Sequence, residues 1–431
     1  MSGEYKVTPI GDIPKDWNVC HVEDFLLDKK GAMKIGPFGS QLKKDSMVPD
    51  GIKVYGQENI FAKDMSFGDR FISHDHFERL KTCELFPGDF IISMMGTIGK
   101  CMVVPKGIRK GIMDSHLLRL QLNEEKMLTD FLTQLFSSPL VLDQVKKLAV
   151  GGIMDGLSSG IVKKILFVCP PPDEQEKSAE ILFTVDEKIE VIEEQIAQTT
   201  ELKKGLMQRL LIKGIGHTHF KESPLGEIPE SWQPVILDDI ADVKRGLASQ
   251  HLLYVDSPAD GVRLIRINDF KRYDPKYIKE TPETQKLTLQ TNDILIAGTG
   301  ATAGITTYIT EEWHGLPFSY NAPRIRVNGE VIPRYLFYYL NSSVVIDQQQ
   351  KLFTGNAQPF LDTRAISNFK IGLPPMEEQR KIASILTEVD HKISILQDKK
   401  ILYVNLKKGL MQKLLTGKLR VNHLIESEVL A

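Results

Sequence analysis

Between residues 262 and 279 the chain carries Arg263, Arg266, Lys271, Arg272, Lys276 and Lys279 against only Asp269 and Asp274. Arg266 and Asn268 alternate with Ile265, Ile267 and Phe270, the pattern of a half-buried strand running out into its loop. Guanidinium and carboxamide groups offer paired donors and acceptors that match guanine and adenine edges, and flanking lysines suit phosphates. As a unit the stretch predicts nucleic-acid contact through Arg263, Arg266, Asn268, Lys271 and Arg272. For any one of these residues, ordinary surface charge is the plain alternative. A corresponding stretch at residues 53–60 supplies Gln57 and Asn59 with far less positive charge. Two glycine-rich loops with basic ends precede these stretches. One holds Lys34, Gly36, Ser40, Gln41 and Lys43; the other holds Lys244, Arg245 and Gly246. Glycine lets backbone amides approach a phosphate closely, although a simple turn fits equally well. A third pair of glycine-rich bends carries Thr97 and Lys100, and Thr299 and Thr302. A last pair of loops, near Met154 and near Asn356 and Gln358, is expected to pack rather than bind.

Other chemistries fit poorly. His116 follows Ser115, but the second half of the chain has no equivalent histidine. Residues 94–100 imitate the end of a P-loop, yet the first glycine is missing and Cys101 stands where Ser or Thr belongs. Glu201-Leu202-Lys203 echoes a nuclease motif but falls inside a helical pattern. There is no Asp/Asn-Pro-Pro-aromatic motif of an amino-methyltransferase and no glycine fingerprint for a methyl donor. No catalytic residue, metal site or cofactor is therefore expected. The four cysteines, Cys20, Cys83, Cys101 and Cys169, lie far apart and read as reduced thiols. With 54 Lys and Arg against 56 Asp and Glu, the net charge is −2, so any polyanion surface must be local or shared with a partner. At 431 residues the chain suffices for two or three domains. No run is apolar enough to span a bilayer and no leader opens the chain, which makes a cytoplasmic protein with no membrane partner the expectation.

The elements that must carry these loops occur twice. Thr8-Pro9-Ile10-Gly11-Asp12-Ile13-Pro14-Lys15-Asp16-Trp17 returns as Ser223-Pro224-Leu225-Gly226-Glu227-Ile228-Pro229-Glu230-Ser231-Trp232, roughly 215 residues later. Residues 202–211 return at 406–415 with Lys413 in place of Arg209, an offset of roughly 204. Short apolar runs at 90–93 and 294–297 follow turn residues and predict strands. Helical patterns cover 131–148 and 335–353. Prolines at 170–172 and 374–375, followed by acids, open long helices whose apolar residues recur at three- and four-residue steps. In the first these are Ile181, Val185, Ile189, Ile192, Ile196, Leu202, Leu206 and Leu210. In the second they are Ile385, Val389, Ile393, Leu396, Leu406, Leu410 and Leu414. A narrow stripe of this kind favours a helix pair, each helix spanning roughly 60 Å. Lys203, Lys204, Lys407 and Lys408 read better as a solvated or partner-facing flank than as DNA contacts.

The order Pro-x-Gly-x-Ile-Pro-x-x-Trp, divergent domain, Pro-Pro-x-x-Glu-Gln, and a helix ending Leu-Lys-Lys-Gly-Leu-Met-Gln-x-Leu-Leu, all occurring twice, resembles the specificity subunit of type I restriction–modification systems. The resemblance runs from Thr8 to about Arg420. It implies an α+β chain with two target-recognition domains separated by an antiparallel pair of long coiled-coil helices, related by an internal pseudo-two-fold. Expected boundaries are 1–169 and 217–373 for the two domains, 170–216 and 374–420 for the helices, and 421–431 for a tail. Each domain would read one half of an asymmetric bipartite target in double-stranded DNA. The helices would set the spacer and dock two adenine-methyltransferase subunits and, through them, the restriction/translocase subunits. The repeated helix ends suggest Leu202, Leu206, Met207 and Leu210, with Leu406, Leu410, Met411 and Leu414, as partner contacts. The competing expectation is a protein-only structural adaptor with duplicated domains.

Overall fold

The computed structural model describes residues 5–38, 41–96, 99–149, 157–271, 274–353, 359–422 and 424. The chain divides into two units, Met1–Ile192 with Lys399–Ala431, and Glu193–Asp398. Both divisions fall inside long helices, Pro172–Lys213 and Met376–Leu414, so each helix gives one stretch to each unit. Among the described residues no helix is long and apolar enough to cross a membrane.

In each unit the repeated marker is folded as a hairpin, Tyr5–Thr8 with Gly11–Pro14, and Phe220–Ser223 with Gly226–Pro229. The turn glycines Gly11 and Gly226 have φ of 106° and 84°, which explains their place in the motif. The tryptophan that follows is buried and fixes the start of a long helix. The Trp17 indole N–H points at Glu174 at 3.5 Å, and that of Trp232 donates to Glu378 at 3.1 Å. In the first unit Arg420 also binds Glu174 and reaches Asp16 at 2.7 Å, which holds the Asp16 carboxyl below its usual range. In the second, His217 lies 2.8 Å from Glu378. The next residue of the motif, Gln175 or Gln379, is buried. Its oxygen accepts from the Leu128 or Ile332 amide and its Nε2 donates to the Pro170 or Pro374 carbonyl. The Pro-Pro-x-x-Glu-Gln signature is therefore a joint between hairpin, globular region and helix.

The globular regions share a four-stranded antiparallel sheet. In the first unit its order is Met33–Ile35, Leu117–Leu120, Phe90–Ser93, Cys101–Val103. In the second it is Ala241–Lys244, Arg324–Val327, Ile294–Ile296, Thr306–Tyr308. A second small sheet completes each lobe. The first has Gly111–Met113, Ile52–Tyr55, Phe71–Ile72 and Met47–Val48; the second has Tyr254–Val255, Lys276–Ile278 and Val262–Leu264. The continuous helices expected at 131–148 and 335–353 are each broken in two. Thr129–Phe136 ends before Pro139–Ala149, and Pro333–Leu340 ends before Ser343–Phe353. Pro139 has no amide to continue the ladder, and in the second unit the Ser342 carbonyl restarts it by accepting from Val345 and Ile346. The cysteines also depart from expectation. Cys20 and Cys169 form a disulfide, because Asn18–His21 pairs with Leu166–Cys169 and brings the two Cα atoms to 6.4 Å. Cys83 and Cys101 are free, and burial pushes the Cys101 thiol up to about 12.

Along the long helices the inward positions are Leu182, Val185, Ile189, Ile192, Ile196, Thr199, Lys203, Leu206 and Leu210, and in the second helix Leu386, Val389, Ile393, Leu396, Lys400, Tyr403, Lys407, Leu410 and Leu414. The alternating steps of three and four are those of a heptad seam. Lys203 and Lys407, at equivalent positions of the two stripes, each meet an aspartate of the other helix within the same unit. Lys407 reaches Asp186 at 2.6 Å in the first unit, and Lys203 reaches Asp390 at 2.6 Å in the second. Each aspartate has one more partner from its globular region, Gln134 Nε2 at 2.9 Å or Tyr338 Oη at 2.7 Å.

A half-buried pair of this kind costs more when one partner is removed than a solvent-exposed pair does. Lys203→Ala should destabilise the second unit by about 1–2 kcal/mol. A denaturation cycle with Asp390→Asn should give a coupling of roughly 1 kcal/mol, whereas independent effects would contradict it. Burial also raises the Tyr338 and Tyr339 phenols to about 12. A folded-state value above the unfolded value of 10 means that this contribution to stability is complete below pH 10 and is lost as pH rises toward 12. Phenolate absorbance should show these two groups ionising above the ordinary tyrosine range, as should the fully buried Tyr335.

Candidate nucleic-acid interface

In the first unit Lys34 sits in the middle of Met33–Ile35, opposite Arg119, and its Nζ donates to Thr82 Oγ1 at 2.8 Å. Gly36 follows, buried so closely against the backbone of Asp114 that a Cβ would lie 1.9 Å from the Asp114 carbonyl oxygen. Gln41 and Lys43 are exposed and line a shallow cleft of about 500 Å³ with His76 and Arg79. Gln57 is half-buried and accepts from Ser93 Oγ at 3.4 Å, which sets it beside the strand that leads to the glycine-rich bend. Lys100 is exposed just after that bend. Ser40 and Thr97 lie outside the described residues.

Asn59 does not fit base reading. It is fully buried, its oxygen accepts from the Gly56 amide at 3.0 Å, and its Nδ2 donates to the Asp64 and Phe67 carbonyls. The sequence shows a carboxamide beside a glycine, but not that both of its ends close a helix turn. His116 is half-exposed, 3.6 Å from the Asp114 carboxylate that also binds Arg70, and gathers no nucleophile.

In the second unit Lys244 ends the equivalent strand opposite Arg324 and pairs with Asp242 at 3.3 Å. Gly246 makes the same close approach as Gly36, here to the Phe318 carbonyl at 2.0 Å from a built Cβ. Thr299 bridges to Phe360, and Leu247 bridges to Ser319. Three segments that are distant in sequence, 244–247, 298–300 and 318–321, thus converge with Phe360 on one surface. The sequence treated the first two as separate candidates and contained no signal for the other two.

The basic stretch at 262–279 is organised differently from expectation. Its strand stops at Leu264, and Ile267–Phe270 forms a 3-10 turn. Asp269, buried in that turn, accepts from the Arg266 amide at 2.9 Å and pairs with Arg263 at 3.3 Å. Arg266 donates to Asp274 at 3.0 Å. The two acids that looked outnumbered hold both arginines in place. Asn268 and Lys271 remain exposed and, with Thr302, line a cavity of about 340 Å³. Arg272 lies outside the described residues, as do Met154, Asn356 and Gln358.

The residues expected to meet a partner separate by burial. Leu210, Met411 and Leu414 are buried in the units' cores, and Leu206, Met207 and Leu410 pack against them. Leu202 and Leu406 stay 54% and 47% exposed, because the seam runs through Thr199 and Lys203, one position away. Val191 and Ile395 are exposed on the same two helices. Lys203 and Lys407 are committed to Asp390 and Asp186, which removes them as DNA contacts.

A family model described as the type I restriction modification DNA specificity domain matches residues 14–201 and 229–404. The chain belongs to this family. It is 28% identical over 426 residues to the type I restriction enzyme MjaVIII specificity subunit of Methanocaldococcus jannaschii, covering 96% of this chain and 95% of that protein. It is also 28% identical to the putative MjaX specificity subunit of the same organism, covering 97% of each. The crystal structure of the S subunit of the type I system from M. genitalium superposes with a TM-score of 0.56 at 16% identity, covering 92% of this chain and 96% of that one, which is a likeness of fold. The specificity subunit's repeated motifs are the hairpin, the tryptophan joint and the helix seam, while its lobes diverge.

Asn59→Ala should lower thermal stability by about 1–3 kcal/mol by leaving buried backbone groups unpaired. It should leave sequence preference unchanged in a binding selection. Altered preference at normal stability would contradict the buried role.

Proposed function

We propose that this specificity subunit is the non-catalytic DNA reader of a type I restriction–modification complex, each lobe recognising one half of an asymmetric bipartite target. The observation that carries this reading is the duplicated frame with unlike loops. Gly36 and Gly246 make the same backbone approach, yet the residue before each is Ile35 in one and Arg245 in the other. Equivalent frames suit the two-fold character of duplex DNA, and unlike loops suit unlike half-sites. We assign the target-recognition domains to 1–169 and 217–373, joined by an antiparallel pair formed by 170–216 and 374–420. The pairing is supported by the Asp186–Lys407 and Lys203–Asp390 contacts, in which rising numbers on one helix meet falling numbers on the other.

Two adenine-methyltransferase subunits dock on the outward faces of the helices, at Val191 and Leu202 and at Ile395 and Leu406, where exposed apolar side chains repeat. Restriction subunits join through them, and the complex works in the cytoplasm. The methyltransferase supplies catalysis by taking the target adenine out of the stack. With a formal charge of −2 the subunit depends on these partners for much of the phosphate contact.

Selection of duplexes by the assembled complex should recover one split sequence with two different halves. Recovery of no sequence, or of a symmetric one, would contradict the reading. Leu202→Glu with Leu406→Glu should weaken methyltransferase association roughly tenfold or more at unchanged melting temperature. Association that is unaffected would move the docking surface elsewhere.

A further inference from the structure

We infer that Arg245, held against the rings of Tyr320 and Phe360, reads a guanine edge in the half-site of the second recognition domain. The inference rests on the DNA-reading function proposed above and names the group within that lobe that carries specificity.

The arginines of this lobe differ in which of their donors are taken. Arg263 and Arg266 turn terminal amino groups to the carboxylates of Asp269 and Asp274 and bury their Nε atoms, so neither presents an open fork to a base edge. Arg245 is held another way. Its guanidinium carbon lies 4.2 Å from the centroid of Tyr320 and 5.5 Å from that of Phe360, and among the described residues no carboxylate pairs with it. Aromatic contact uses the face of the guanidinium plane and leaves its edge free. Such a fork is already ordered, so little side-chain freedom remains to be lost on binding.

The rings themselves support the assignment. Tyr320 is 42% exposed and Phe360 is 47% exposed, so neither serves a core. Both are fixed by backbone rather than by their own burial. The Tyr320 amide donates to the Leu247 carbonyl at 2.9 Å, and Phe360 bridges to Thr299. The cluster therefore stands where the three loop segments of the second lobe meet. An ordered guanidinium fork with free in-plane donors matches the O6 and N7 acceptors of guanine. In the first lobe the aligned position is Ile35, which predicts that no equivalent guanine is read there.

The test is duplex selection with the assembled methyltransferase complex carrying Arg245→Lys, Arg245→Ala or Tyr320→Leu, with both half-sites randomised in turn. Arg245→Lys keeps the charge and loses the fork. Each Arg245 variant should lose roughly tenfold or more of its preference at one G·C position of one half-site, while the other half-site is selected as before. Tyr320→Leu should weaken the same position by a smaller factor. The untouched half-site reports that the complex is folded and assembled. Equal loss for every sequence, or full preference retained by Arg245→Lys, would mark a phosphate contact and overturn the inference. If the wild-type complex selects no sequence, the DNA-reading function fails first and takes this inference with it.

Discussion

The pairing of a lysine on one long helix with an aspartate on the other is the interaction on which the arrangement depends. Lys203 and Lys407 occupy inward positions of a three-four repeat, where an aliphatic residue would pack without penalty. A charge there is tolerable only if an acid lies opposite, and the acid is available at one register: Asp390 for Lys203 and Asp186 for Lys407. Each aspartate is also tied to its lobe, by Tyr338 or by Gln134. The pair thus fixes helix to helix and helix to reader in one contact.

Around this contact the molecule separates what is kept from what diverges. The hairpin glycine is the same in both units because its φ is positive, and the buried tryptophan, the Glu-Gln joint and the seam lysine because each closes a specific hydrogen bond or ion pair. The lobes share a four-stranded sheet and a close glycine approach, but their loops present different side chains on that common frame. The first offers Gln41 and Lys43 beside His76 and Arg79; the second offers Arg245 against two exposed rings. Specificity evolves on such a frame without disturbing the joints, since loop tips contribute little to either core.

Much of the frame was legible in the sequence because local chemistry repeats there. The Pro-Gly-Ile-Pro-Trp marker, the proline stops and the heptad stripe each have a short-range cause. The site was less legible, for the opposite reason. Asn59 and Gln57 look alike in sequence, yet one is consumed by turn amides and the other remains half-exposed. Arg263 and Arg266 look free until Asp269 folds back beneath them. Tyr320 and Phe360 acquire meaning only when segments far apart converge on Arg245. The Cys20–Cys169 pair was hidden by a sequence separation of 149. Leu210, Met411 and Leu414 belong to a helical stripe whose sequence does not say whether it faces a core or a partner.

On the function proposed above, the long helices and not the lobes set the distance between the two halves of the target. Inserting one heptad into each long helix, in phase with the seam, separates these roles, because it lengthens the helices and leaves every reading loop unchanged. Duplex selection by the assembled complex should then return the same two half-sites with a longer gap between them. An unchanged gap, or a change in the identity of either half-site, would contradict the account.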